Sequence, residues 1–528
     1  MCWRVWARRV DKPAPSNFSS VGLGLFASRV SAICEEMGAL LGRVAFSPNI
    51  RDRLDYSCAL FNARGHLLGQ ATHIPVHLGS MAYAMVDLVN SRPWRSGDML
   101  ILNDPYKGGT HLPDITLVAP VFSRGNLVGF CANRAHHADI GSDAPGSMPV
   151  SSMLDEEGLL IPPTLLMENG NVDEAFLQSM LQELTSPDTS RGDFNAQIAA
   201  NQLGAGRLQA LVETSGISAF EQLENGLQSW AETLARKSLS AIPNGTYQFE
   251  DYLDDDGYGQ TDIPVKVTIN IDGHGVDLDF SGTAEQVKGN LNCPMPVTAA
   301  AVVYVFRCLM PAHLPACHGA FQGIRISAPE GCLVNATAPS AVAAGNVETS
   351  SRIVDVVCGA LSQAIPDQIP AASQGSMNNL AMGSRAGNGW DYYETLAGGM
   401  GAAFDSNGCS ARHSHMTNTL NTPIEVLELN FPLRIERYTI RRDSGGGGKF
   451  HGGDGVVRQY RFLADAEVSL LTERRRLAPW GLTGGEPGSC GVNELNGEEI
   501  PGKICFKATT GQTLTLKTPG AGGYGLVL

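Results

Sequence analysis

Between Phe26 and Val44, apolar residues fall at 26, 30, 33, 37, 40, 41 and 44, the spacing of one buried face of an α-helix, and the pattern stops before Ser47-Pro48. From Asp55 the rhythm changes. YSCALFN, a turn at Ala63-Arg64-Gly65 and HLLGQA together predict a β-hairpin. DMLILND, DITLVAPVF and LVGFCANRAHH predict further strands, separated by turns bearing Gly and Asn. From Asp173 to Leu239 the spacing is helical, most clearly in EAFLQSMLQEL and FEQLENGLQSWAETLARKSL. VKVTINI-DGHG-VDLDFSG alternates with period two on both sides of a turn, a second hairpin. RIVDVVCGALSQAI predicts a helix, and from about Val426 the chain is β-rich and punctuated by glycine.

These elements add up to a multi-lobed α+β protein without the regular βαβ rhythm of a doubly wound sheet, and with no P-loop. The pattern divides the chain into an atypical N-terminal extension (1–24), an α+β lobe that carries the candidate chemistry (25–243), a central α+β lobe (244–425) and a Gly-rich β lobe (426–528). Pro243-Asn244-Gly245 marks the first lobe boundary, and no repeat of fixed period is visible.

Composition sharpens this picture. A chain of 528 residues buries a large core without disulfide or metal staples. The net charge of -15 argues against nucleic acid or an anionic membrane as partner. Only 17% of residues are charged, below the usual ~25%, which points to a surface covered in a larger assembly. No two of the 12 cysteines have C-x-x-C spacing, so a zinc knuckle or dithiol motif is not expected. They read as small apolar core residues of an intracellular protein. No apolar run follows the N-terminal arginines, and the longest, Val297 to Phe306, is too short to cross a bilayer. A cytoplasmic location is expected.

Six of the 12 histidines lie between positions 66 and 137. His111 and Asp114 form an H-x-x-D pair in the Gly/Pro-rich loop Asn103-Asp104-Pro105-Tyr106-Lys107-Gly108-Gly109-Thr110-His111-Leu112-Pro113-Asp114. One strand-length run and a turn bring the chain back to Asn133-Arg134-Ala135-His136-His137-Ala138-Asp139. Imidazole with carboxylate suits zinc, manganese or ferrous iron, and ligands from two strand ends would leave a site open to water. The bland alternative is a set of polar loop residues satisfying turns. Adjacent strand residues point to opposite faces, so only one of His136 and His137 can face an ion.

Other segments carry weaker signals. Ser444-Gly445-Gly446-Gly447-Gly448-Lys449 lacks the ending of a phosphate loop, since Phe450 follows the lysine, so a tight turn array or subunit contact is expected and no nucleotide site. Gly345-Asn346-Val347-Glu348-Thr349-Ser350-Ser351 opens a helix and could offer N–H groups to an anion, but capping by Thr349 or Ser350 is the preferred reading. His413 and His415, spaced like strand neighbours, are assigned to core rather than to a substrate passage. Cys293 and Cys317 have no adjacent base and are not proposed as nucleophiles.

The strings FSPNIRDRLDYSCALF, IPVHLGSM, ILNDPYKGGTHLPDITLVAPVF and NRAHHADIGS resemble the hydantoinase B family, the B-type subunits of ATP-dependent hydantoinases and 5-oxoprolinases. Acetone carboxylase alpha chains are distant relatives of that family. The likeness continues through GNVETSSRIVDVV, HMTNTLNTPIEVLE, RRDSGGGGKFHGGDGVVRQYRF and APWGLTGGEPG, over roughly residues 25 to 525. It implies one divalent ion held by two His and two Asp, which by motif position are Asp55, His111, Asp114 and His136. A salt bridge from Asp55 to Arg53 is the competing reading. His137 and Asp139 then become supporting groups for a ligand imidazole. Asp139 and Asp104 are candidate proton acceptors.

The resemblance further implies a hydantoinase A-type partner that binds and splits ATP, in an A2B2 hetero-oligomer, and a small cyclic amide as substrate. Phosphorylation of the ring carbonyl oxygen in the partner would remove the amide's resistance to hydrolysis, and water activated here would open the ring. Two alternatives come with it: a subunit of an ATP-dependent carboxylase like acetone carboxylase, whose alpha chains are longer, and a non-catalytic scaffold for the A-type partner.

Overall fold

The computed structural model describes residues 19–385 and 389–527. Helix α1 (Ser20–Val44) starts where the Ser19 hydroxyl accepts the Gly22 N–H at 3.2 Å, and it buries Phe26, Val30, Ile33, Met37 and Leu41 along one face. Val21 and Leu25 face solvent (70% and 60% exposed), whereas Leu23 is buried and extends the apolar stripe one turn ahead of the predicted start at Phe26. Of the segment 1–24, residues 1–18 lie outside the described residues, and Ser20 onward belongs to this helix. A single turn, α2 (Pro48–Arg51), follows with Ser47 at its N-cap. Asp193 accepts the Phe46 and Ser47 N–H groups at 2.7 and 3.1 Å and so pins the link between the two.

Strands between residues 56 and 172 form a seven-stranded antiparallel sheet. Its strands are β1 (Tyr56–Asn62), β2 (Leu67–Gln70), β3 (Met99–Leu102), β4 (Asp114–Ser123), β5 (Asn126–His136), β6 (Thr164–Glu168) and β7 (Asn171–Val172), in the order β2-β1-β5-β4-β3-β6-β7. Both faces of its centre are covered. Cys58 and Leu60 of β1 and Cys131 of β5 share a core with α1, whereas Ala59, Phe61 and Phe130 pack with Met81, Met85 and Leu88 of α3 (Pro75–Asn90). Burial on two sides explains why β1 reads as a continuous apolar run rather than an alternating one. The helix-rich stretch forms α4 (Glu174–Gln182), α5 (Pro187–Ser215) and α6 (Ile217–Leu239).

A second sheet, ordered β11-β10-β9-β8, contains β8 (Gly245–Asp255), β9 (Thr261–Ile271), β10 (Val276–Asp279) and β11 (Ile324–Ser327). The second hairpin read from the sequence is β9 and β10, with Val276 opposite Ile271. The apolar run at Val297 forms most of α7 (Met295–Leu309), a buried helix, and no described helix is long and apolar enough to cross a membrane. Helix α8 (Ser350–Leu361) is the predicted RIVDVV helix.

Two further sheets complete the fold. One, ordered β13-β12-β16-β19, holds β12 (Asn379–Ser384), β13 (Trp390–Glu394), β16 (Ala466–Leu471) and β19 (Lys503–Ala508). The other, ordered β14-β15-β20-β17-β18, holds β14 (Leu433–Arg441), β15 (Gly455–Phe462), β17 (Val492–Leu495), β18 (Glu498–Ile500) and β20 (Thr513–Lys517), and a short α9 (Ile424–Asn430) leads into it. The class is α+β, as the sequence pattern indicates. The Ser444–Lys449 stretch threads between other backbones: a Cβ at Gly445 would stand 2.0 Å from the Gly452 carbonyl oxygen, and one at Gly446 2.2 Å from that of Glu486.

Candidate metal centre

Strands β4 and β5 lie in register so that Asp114, the first residue of one, stands directly opposite His136, the last of the other. His111 sits one turn before Asp114, whose N–H bonds the His111 carbonyl at 3.1 Å. One ring nitrogen from each imidazole and one oxygen of Asp114 lie within 4.8 Å of one another, and all three residues are buried. His111 Nε2 and His136 Nδ1 each approach Asp114 Oδ1 at 3.2 Å. Two ligand atoms ~2.1 Å from one tetrahedral ion stand about 3.4 Å apart, so the spacing fits a shared cation.

The other oxygen of Asp114 is held by protein. Oδ2 accepts the Thr110 hydroxyl at 2.6 Å and the Asn346 amide at 3.2 Å, and faces His77 Nε2 at 3.2 Å. The carboxylate is thereby fixed with Oδ1 turned to the two imidazoles. His111 in turn places Nδ1 3.3 Å from the Ala343 carbonyl, which makes Nδ1 the protonated nitrogen and leaves Nε2 to face Asp114. The Ala343 and Val342 N–H groups both end on Oε1 of the buried Glu157, at 2.9 Å. The His136 ring stacks on Tyr393 of β13 at 4.6 Å. His136 Nε2, the ring nitrogen turned from Asp114, is shut from solvent with no hydrogen-bond partner, and His111 Nε2 finds none beyond its approach to Asp114 Oδ1.

The electrostatics separate the two imidazoles. Burial alone would raise the Asp114 pKa, but the His111 and His77 rings, with hydrogen bonds from His111 and His136, hold it well below the usual carboxylate range. Burial lowers His136, so its ring is neutral, the form that coordinates metal. For His111 burial pulls the same way, yet the adjacent Asp114 carboxylate outweighs it and the pKa rises.

The remaining candidates fall into place around this cluster. His137 turns away: its Nε2 lies 2.9 Å from Gln197 Oε1 and its ring stacks on Phe194 at 4.8 Å. Asp55 stands beside His136, whose N–H bonds its carbonyl at 3.0 Å, but its carboxylate lies outside the compact group and 3.9 Å from Arg53. Asp104 caps the turn that follows it by accepting the Tyr106 N–H at 3.0 Å. Asp139 accepts the Gly141 and Ser186 N–H groups at 3.2 and 2.9 Å. Asp104 also pairs with Lys107 at 3.9 Å, and the contacts given for Asp139 are those of a backbone cap. A cavity of about 150 Å³ borders His137, Asp139 and Tyr393, and none of the three clustered residues lines it.

Three contributors were not singled out from the sequence as site residues: His77, Asn346 and Tyr393. Residues 345–349 form a π-turn ahead of α8 rather than a capped helix start. Thr349 bonds the Leu291 carbonyl at 2.5 Å and Ser350 the Asn346 carbonyl at 2.6 Å, so neither hydroxyl caps the helix. His413 and His415 lie in an irregular segment, not a strand. Both are half-buried, and desolvation pushes their ring pKa values down to about 3 and about 4. None of the described cysteines is in a disulfide; Cys34, Cys58, Cys131 and Cys293 are buried, while Cys308, Cys409 and Cys505 are exposed.

The family model for hydantoinase B/oxoprolinase matches residues 19–527. An uncharacterised protein of Methanocaldococcus jannaschii is 41% identical over 94% of this chain and 89% of its own length. 5-Oxoprolinase 1 of Arabidopsis thaliana is 38% identical over 96% of this chain, which spans only 42% of that protein. A protein of a Pseudomonas species, named as the B-type component of a D-/L-hydantoinase, is 30% identical over 93% of this chain and 88% of its own length. Among solved structures, the ATP-dependent caprolactamase from Pseudomonas jessenii superposes with a TM-score of 0.90 at 26% identity, covering 96% of this chain and 91% of that one. Acetone carboxylase, at 19% identity, shares the fold with a TM-score of 0.85 over 96% of this chain and 75% of its own.

Proposed function

The chain belongs to the hydantoinase B/oxoprolinase family, and from that premise we propose that it is the B-type component of an ATP-dependent cyclic amide hydrolase, with His111, Asp114 and His136 holding a divalent ion at its ring-opening site. The observation that carries this reading is the convergence of three buried donor groups, one ring nitrogen from each imidazole and one oxygen of Asp114, within 4.8 Å of one another. We place Asp55 as the fourth ligand, since its main chain is bonded to His136 and a turn of its carboxylate away from Arg53 would complete the set. Zinc, manganese and ferrous iron all suit this mixture of imidazole and carboxylate.

When bound, such an ion acts as a Lewis acid and lowers the pKa of water from 15.7 towards ~7. The protein residues do the rest. Asp114 offers Oδ1 because Thr110, Asn346 and His77 hold Oδ2. His111 offers Nε2 because Ala343 holds Nδ1. Tyr393 covers the ring of His136 and keeps bulk water from that side.

The ATP-dependent step belongs to an A-type partner, which transfers the γ-phosphoryl group to the ring carbonyl oxygen. Water adds to the activated carbon, the C–N bond breaks with a proton taken up by nitrogen, and a second water releases phosphate. One lactam, one ATP and two waters thus give the open amino acid, ADP and phosphate. Relatives named 5-oxoprolinase, hydantoinase and caprolactamase act on, or are named for, ring amides and support this substrate class. The reading is tested by joining the protein to its A-type partner and measuring ring opening and ATP splitting with His111→Ala. Ring opening should collapse while ATP splitting persists; ring opening at the normal rate would refute it.

A further inference from the structure

The π-turn at 345–349 reaches the candidate site from a different part of the fold than the two strands. Its position leaves no slack. A Cβ at Gly345 would stand 1.9 Å from the Asn292 carbonyl oxygen, so the turn is pressed against that backbone, and the Thr349 and Ser350 hydroxyls anchor its far end. π-Turns within helices are frequent at functional sites.

Asn346 is 3% exposed, and its amide orientation is dictated by its neighbour. Asp114 can only accept, so the Asn346 nitrogen must face Oδ2, at 3.2 Å. That leaves Asn346 Oδ1 as a fixed acceptor beside the metal cluster, buried and without a hydrogen-bond partner. Native structures rarely leave such an atom bare, and one at the candidate site is most simply matched by a ligand donor. The donors around it are already used: Thr110 and His77 are spent on Asp114, and His111 Nδ1 on Ala343.

A ring amide brings the missing partner, its N–H. This nitrogen bears a hydrogen in the ring amide, keeps it when phosphorylation of the carbonyl oxygen gives the iminium form, and bears it still in the departing amine. We propose that Asn346 contacts the substrate, its Oδ1 accepting the ring N–H, and that the protein therefore selects secondary cyclic amides over N-alkylated ones. The inference rests on the cyclic amide reading above and narrows its substrate class.

The test compares wild type and Asn346→Ala, each joined to the A-type partner, on whichever of 2-pyrrolidinone, 5-oxoproline and hydantoin is opened and on the N-methyl form of the same ring. Metal content and thermal melting are measured on both proteins, and Asn346→Ser serves as a smaller change if the alanine variant fails to fold. The expected result is that kcat/KM for the N–H ring falls at least 10-fold while that for the N-methyl ring holds or rises, so the preference shrinks by that factor. Equal losses on both rings, or no loss on either, would overturn the role of Asn346 while leaving the cyclic amide reading intact. A wild-type complex that opens none of the rings would overturn both.

Discussion

Asp114 and His136 face each other as directly opposed residues of two neighbouring strands, with Oδ1 and Nδ1 3.2 Å apart. The register of the sheet, rather than a flexible loop, sets this distance. A site built on strands is held more closely than one on loops. It also separates two adjacent histidines by face, since His137 continues past the strand and meets Gln197.

That separation gives a paired expectation. His136→Gln should lose bound metal, whereas His137→Gln should keep it and lose only stability, through the lost stack on Phe194 and the bond to Gln197. Metal analysis by mass spectrometry together with a melting curve on each variant checks this. Metal loss in His137→Gln with retention in His136→Gln would reverse the assignment.

His77 faces the anchored oxygen of Asp114 and, through Nδ1, the Ser57 hydroxyl at 3.4 Å. Groups that orient a ligand in this way commonly contribute 10–100-fold in metal affinity. His77→Ala should weaken metal binding by about that factor in a chelator competition. An unchanged affinity would reduce His77 to packing.

Glu157 provides a pH signature. Burial raises its pKa from 4.5 to about 7 against the lowering pull of its backbone and Ser151 hydrogen bonds. The folded state therefore holds a proton that the unfolded state has released between roughly pH 4.5 and 7, and this group's contribution to stability is lost as pH rises through that window. Glu157→Gln removes the titration and keeps an acceptor for the Val342 and Ala343 amides, with its NH2 at the unpartnered Oε2 position. The variant should gain stability relative to wild type as pH rises from about 5 to about 7, by at most about 1.4 kcal/mol per pH unit, and the gap should level off above that. Denaturant titrations at several pH values measure it, and a gap that does not change with pH would count against the buried acid.

Much of this was legible in the sequence. YSCALFN, DITLVAPVF and the hairpin around DGHG became β1, β4 and the β9–β10 pair because β-branched and aromatic runs bounded by turns leave few other choices. The H-x-x-D pair and the returning histidines were legible for the same reason: one hairpin joins them, so spacing in the chain maps directly to distance in space. Helix α3 escaped detection because its exposed face is short, carried by Asp87 and Asn90 near its end, while most of its residues are apolar and buried. Met81 and Met85 face the sheet while Gly79 lies against Ala300 of α7, so the apolar positions do not fall on a single stripe. His77 rides on that helix and stayed hidden with it. Asn346 reaches Asp114 across 232 residues, and no local pattern reports such a contact.

The most direct test of the central claim is ring opening by the complex with its A-type partner, first stripped of metal by a chelator and then reloaded, with Asp114→Asn treated alongside. The account expects ring opening to fall at least 100-fold on stripping, to return on addition of zinc, manganese or ferrous ion in wild type, and not to return in Asp114→Asn. Full ring opening by protein shown to be free of metal would contradict it.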